Sequence, residues 1–112
     1  MKKQNTISSE PGQTNLLKKG TTINGDLKSE GDARIDGNVN GNIDVKGKVV
    51  IGSTGKIIGD INCAFCDIEG EVKGKLSIKS SLTLKSTANY TGEISTKKLI
   101  IEPGAVFNGS CK

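Results

Sequence analysis

A five-residue motif, apolar–x–Gly–x–apolar, returns six times between Ile23 and Cys111, and that recurrence leaves the chain few ways to fold. The copies are Ile23–Leu27, Val39–Ile43, Ile57–Ile61, Val72–Leu76, Tyr90–Ile94 and Phe107–Cys111. Their glycines, at 25, 41, 59, 74, 92 and 109, are separated by 16, 18, 15, 18 and 17 residues. A near-constant interval of this length marks a stacked-repeat architecture, in which each repeat buries its apolar face only against its neighbours.

A second apolar column runs in phase with the first: Ile35, Ile51, Ile68, Leu84 and Ile101, at intervals of 16, 17, 16 and 17. Two residues before each lie Ala33, Val49, Cys66, Leu82 and Leu99, and Val45, Cys63, Ile78 and Thr96 follow the Gly motifs two residues on. Spacing by two is strand alternation, and no window sustains the three-and-four spacing of a helix. Short strands at a fixed interval of about 17 without helices predict an all-β parallel β-helix of about six windings. At ~4.8 Å per winding the rod is on the order of 25–30 Å long. Each recurring glycine supplies either positive φ or room for neighbouring backbone, and the sequence leaves the choice open.

Aromatic residues are scarce, with one Tyr, two Phe and no Trp, which suits a thin core of aliphatic columns. The net charge of +4 is uneven: residues 1–20 carry +3 and residues 21–112 only +1. Nucleic-acid binding by the folded part would need a basic stripe on its body. Lys46, Lys48, Lys73, Lys75 and Lys79 are the lysines that would have to cluster, and a solvated face that discourages lateral strand pairing is the plainer expectation. A nucleic-acid partner is therefore not expected.

Residues 1–20 are polar and contain Pro11 and Gly12, which predicts a flexible basic tail ahead of a repeat domain over 21–112. No stretch in the tail is apolar enough for a signal peptide or a membrane span, so a cytoplasmic location is expected. Met1, Lys2, Lys3 and Ile7 form a candidate weak contact with an anionic inner membrane face, strengthened when many chains are arrayed. The alternative is a plain soluble tail, or one that tethers to DNA or to a partner protein.

Cys63 and Cys66 form a C-x-x-C without the histidines or second pair that a metal site requires. Both fall in inward columns, so they read as core. With no histidine in the chain and no carboxylate pair in a recognisable cleft, no catalytic residue, metal or cofactor is assigned. The hexapeptide-repeat acyltransferases are the closest enzymatic alternative. Val39, Val45, Ile51 and Ile57 share their spacing of six, but the next interval, from Ile57 to Val72, is 15. A non-polymerising solenoid that serves as a binding module is the other alternative.

Three segments, Gly31-Asp32-Ala33-Arg34-Ile35-Asp36-Gly37, Val49-Val50-Ile51-Gly52-Ser53-Thr54-Gly55 and Ile101-Glu102-Pro103-Gly104-Ala105-Val106-Phe107-Asn108-Gly109, resemble the bactofilins in order and spacing. The resemblance covers about residues 21–111. It implies a right-handed, roughly triangular β-helix that assembles end to end into non-polar, nucleotide-independent filaments. It further implies attachment to the inner membrane face and a scaffolding role for cell-shape, cell-wall or polar-localisation proteins. Phe107 matches an aromatic at the family's end-to-end contact.

The residues alone point the same way. Uncapped terminal windings expose unpaired strand edges, which another copy can satisfy. The expected assembly surfaces are Ile101, Val106 and Phe107 at one end, and Ile23 and Leu27 at the other, shielded in part by Leu16 and Leu17. Like-with-like and unlike pairing both satisfy such edges.

Overall fold

In the computed structural model the described residues are Asn5–Ile7 and Thr14–Cys111, and they form thirteen strands in one parallel sheet that winds on itself. The strands are β1 (Asn5–Ile7), β2 (Thr14–Leu17), β3 (Thr22–Ser29), β4 (Asp32–Ile35), β5 (Asn38–Asn40), β6 (Ile43–Val45) and β7 (Lys48–Ile51). They continue with β8 (Lys56–Ile58), β9 (Ile61–Ile68), β10 (Glu71–Leu84), β11 (Asn89–Ser95), β12 (Lys98–Ile101) and β13 (Val106–Cys111). The result is a parallel β-solenoid of about six windings.

Three faces follow from the pairings. The first stacks β2, β4, β7, the end of β9, the end of β10 and β12. The second stacks the start of β3, then β5, β8 and the first residues of β10, β11 and β13. The third stacks the end of β3, β6, the start of β9, the middle of β10 and the ends of β11 and β13. The columns expected from the sequence are in register. Ile35 pairs with Ile51, Ile51 with Ile68, Ile68 with Leu84, and Leu84 with Ile101.

Alternation drives one set of side chains inward. Val39, Val49, Ile51, Ile57, Ile68, Val72, Leu76, Leu82, Leu84 and Ile94 are wholly buried. Full burial of such a side chain stabilises by about 1.5–3 kcal/mol. Ser29 holds a slot in the Val45 column and is also buried, its Oγ accepting the Gly31 N–H at 3.1 Å. Serine fits there because a turn amide lies within reach.

Both roles left open for the recurring glycines are in use. Gly59 has φ of 146°, and a Cβ on it would collide with the Gly41 carbonyl directly beneath. At Gly70 φ is not positive, yet a Cβ would overlap the carbonyl oxygens of Gly52 and Gly55. Close approach is therefore the shared requirement, and positive φ is added where the second face turns into the third.

The corner between the first and second faces has two lengths, as the sequence indicates. Short corners at Ile35–Val39 and Ile68–Val72 are each overlain by a longer one, Ile51–Ile57 and Leu84–Tyr90. Thr54 Oγ1 in the longer corner donates to the Asp36 carbonyl at 2.7 Å, and Thr87 Oγ1 donates to the Glu69 carbonyl at 2.7 Å. A second set of links climbs the third face. Asp26, Asn42 and Asp60 each accept, through Oδ1, the backbone N–H one winding above, at 3.1–3.2 Å. Corner amides that no strand pairs are satisfied this way.

Residues 14–17 depart from the expected tail. β2 pairs in parallel with β4, Leu17 facing Ile35, and Leu17 is buried. The backbone of β1 pairs with Gly25–Leu27 of β3. The stack thus begins before residue 21, because Leu17 is in phase with the Ile35 column and adds a layer to it.

Candidate functional site

The C-terminal winding is where the core stops being covered. In the first-face column Ile35, Ile51, Ile68 and Leu84 are at most 1% exposed, while Ile101 is 46% exposed. Val106 is 45% exposed, and Leu99, Ala105 and Phe107 pack against the core but remain partly open. Among the described residues β12 pairs only with β10, and β13 only with β11, so each keeps an open edge.

Phe107 lies on Tyr90, ring centroids 5.7 Å apart and planes inclined by 23°. Tyr90 is fully buried, with its hydroxyl 2.5 Å from the Gly74 carbonyl and 2.7 Å from the Glu93 carbonyl, its single proton shared between those acceptors. Burial, with smaller contributions from nearby acidic groups, pushes the phenol well above its ordinary range against the backbone hydrogen bond that lowers it. The aromatic pair gives the last winding a firm base, and the upper surface of Phe107 is what the end presents.

The structure brings Ile101, Val106 and Phe107 together on this winding. It does not place Ile23 and Leu27 at the other end. They are 8% and 1% exposed and belong to the core. The correction has a physical cause: β1 and β2 continue the sheet beyond β3 and β4, and the amino end of the described stack moves to those strands. Leu16, expected as a shield, points outward at 64% exposure, and Leu17 is the covering residue. Met1, Lys2 and Lys3 lie outside the described residues, and the backbone of Ile7 belongs to β1.

Cys63 and Cys66 are buried free thiols, as their columns indicate. The Cys63 thiol donates to the Phe65 carbonyl at 3.2 Å. A hydrogen bond with Cys63, burial, and the neighbouring Cys63 and Asp67 charges hold the Cys66 thiol well above its usual value. Reactive thiolates need the opposite environment. Among the described residues no group of three or more His, Cys, Asp or Glu is placed to hold a metal, and no helix is long and apolar enough to cross a membrane.

Sequence reasoning missed Ser29 as a buried residue, the hydroxyls of Thr54, Thr87 and Tyr90 as carbonyl donors, and the first layer. A signal existed for the last: Leu17 precedes Ile35 by 18 residues, an interval that recurs between the glycines.

A three-sided parallel solenoid with an open apolar last layer defines a structural β-solenoid protein. The sequence model of the family described as "Bactofilin: Polymer-forming cytoskeletal" matches residues 15–112. Bactofilin BacN of Myxococcus xanthus (strain DK1622) is 57% identical over 99 residues, covering 88% of each chain. Among solved structures, a phenylalanine-to-arginine mutant of a bactofilin from Thermus thermophilus aligns with a TM-score of 0.76 and 33% identity, over 80% of this chain and all of that one. The cytoskeletal bactofilin BacA, determined by solid-state NMR, aligns with a TM-score of 0.61 and 25% identity over 95% of both. The chain belongs to the bactofilins, a family of polymer-forming cytoskeletal proteins.

Proposed function

We propose that this protein is a cytoskeletal scaffold that assembles end to end, without nucleotide, into non-polar filaments. The observation that carries this reading is the contrast within one column, wholly covered at Leu84 and half open at Ile101. A second copy placed on the last winding covers Ile101, Val106 and Phe107 and supplies strand partners for β12 and β13. Like-with-like contact through this end makes the junction two-fold and the filament non-polar. The amino end, formed by β1 and β2, meets its counterpart at the next junction.

The filament works at the inner face of the cytoplasmic membrane, where it organises cell-shape, cell-wall or polar-localisation proteins. Met1, Lys2, Lys3 and Ile7 supply a contact with anionic lipid. Each lysine near such a surface contributes about 1 kcal/mol, and the repetition of tails along a polymer multiplies that small attraction. Negative-stain electron microscopy of the purified full chain without nucleotide tests the assembly. Unbranched filaments are expected, and a field of single particles at high concentration rejects the reading.

A further inference from the structure

The five lysines singled out in the sequence separate into two groups on the folded rod. Lys73 and Lys75 flank Gly74, where the second face turns into the third. Lys46, Lys48 and Lys79 lie on a different edge, where the third face turns into the first. That corner is made by Glu30-Gly31, Lys46-Gly47, Ala64, Lys79-Ser80 and Lys97, because Ser29, Val45, Cys63 and Ile78 end one side of it and Asp32, Lys48, Phe65, Ser81 and Lys98 begin the other.

The edge therefore carries Lys46, Lys48, Lys79, Lys97 and Lys98, all exposed, against Glu30 and Asp32 at its amino end and Asp44, which lines the same hollow as Lys46 and Lys79. Lys48 is paired with Asp67 at 3.1 Å, whereas Lys46, Lys79, Lys97 and Lys98 have no carboxylate within ion-pair distance among the described residues. Phe65 stands midway along this line, 47% exposed, with no polar atom on its ring to favour water. The Cys63 thiol bonded to its carbonyl holds the backbone there.

The other two edges are of mixed charge. One bears Asp26, Asp60 and Glu93 with Lys73 and Lys75, the other Asp36, Glu69 and Glu102 with Lys18, Lys19 and Lys85. Several of those carboxylates are already engaged: Asp26 and Asp60 on backbone amides, Asp36 on Arg34, and Glu102 on Lys85. An excess of positive charge is thus confined to one edge, whose cations are mostly uncommitted.

We propose that this edge, from Lys46 to Lys98 with Phe65 at its crest, is a docking ridge for an anionic lipid bilayer. A convex line of lysines around one exposed phenyl ring fits the headgroup boundary, where ammonium groups meet lipid phosphates and the ring reaches the acyl region. Duplex nucleic acid would use the lysines but leave the ring without an apolar partner, because its bases are stacked inside. The contact lies on the body of the solenoid and is separate from the tail contact. It rests on end-to-end assembly for its strength, since a filament presents the ridge many times.

The test is co-sedimentation of the full chain with vesicles of phosphatidylcholine and phosphatidylglycerol in equal parts. Unmodified protein is compared with Lys46→Glu/Lys79→Glu/Lys98→Glu, with Phe65→Ser and with the tail variant Lys2→Gln/Lys3→Gln. Melting and electron microscopy verify fold and filaments for each. The ridge triple should weaken vesicle binding by roughly a hundredfold or more, as three lost lysine contacts imply. Phe65→Ser should weaken it by about tenfold, and added salt should erase most of the remainder.

Binding unchanged in the ridge triple, or lost entirely in the tail variant, overturns the proposal. So does ridge-dependent pelleting with duplex DNA but not with vesicles, or loss of lipid-free filament bundles as the sole effect, which would assign the edge to a second copy. If the unmodified chain makes no filaments, the assembly reading fails. The same vesicle comparison, run at higher lipid, then still decides the ridge.

Discussion

Leu84 and Ile101 are successive members of one column, paired in register, yet the first is fully covered and the second is 46% exposed. Their chemistry is nearly the same. What differs is the layer above: Leu84 has β12 over it, and among the described residues Ile101 has nothing. The same contrast separates Tyr90, wholly buried, from the Phe107 stacked on it. In a solenoid, burial is a property of position in the stack, so one side-chain type stabilises the fold in the middle and forms a contact surface at the end.

Substitutions in the middle should therefore damage the fold, and those at the end should damage assembly. The largest effect is expected for Gly59→Ala, whose methyl group would occupy the place of the Gly41 carbonyl at a positive φ. A loss of about 3–5 kcal/mol is expected, read by chemical denaturation. Leu84→Ala should cost about 2–5 kcal/mol, as buried Leu truncations do. Ile101→Ala should cost under ~1 kcal/mol when the chain is held monomeric by dilution, and still shorten filaments. Equal losses at the two positions would remove the contrast.

Tyr90→Phe leaves the Gly74 and Glu93 carbonyls without their donor and should cost about 1–2 kcal/mol. The same variant carries a pH signature. The folded chain keeps the phenol protonated above its ordinary value of 10.0, so it binds more protons than the unfolded chain at higher pH. Stability tied to this group is complete below about pH 10 and declines as pH rises beyond it. Melting temperature followed from pH 8 to 11 should show an alkaline decline that is steeper in the unmodified protein than in Tyr90→Phe. The smaller of the two hydrogen-bond losses is Thr54→Val, which should cost about 1 kcal/mol by removing the donor to the Asp36 carbonyl. An unchanged denaturation midpoint would show that water serves that carbonyl equally well.

Much of this architecture could be read from the residues. Ile35, Ile51, Ile68, Leu84 and Ile101 announce their register by spacing alone, and the two cysteines declare themselves core by sharing slots with Val45 and Val49. A period signals where side chains point. It does not signal which polar atoms meet, so nothing in the spacing announces that Ser29 is buried against the Gly31 amide. Nor does it mark where the stack begins. Leu17 is in phase, but it sits among Thr14, Asn15, Lys18 and Lys19, whose polarity resembles a tail. Ile23 and Leu27 were consequently expected at an end and lie one layer inside it. The C-terminal cluster was legible because it falls in the final repeat. The basic edge was not, because Lys46, Lys79 and Lys97 come together only when corners from separate windings stack.

The account depends on the last winding being an unsealed layer that another copy covers, and Phe107→Arg tests this most directly. Sedimentation velocity and thermal melting should be recorded together for this variant and the unmodified chain. Small, uniform species with a melting temperature close to that of the unpolymerised chain are the predicted result. Filaments of undiminished length carrying the arginine would contradict it.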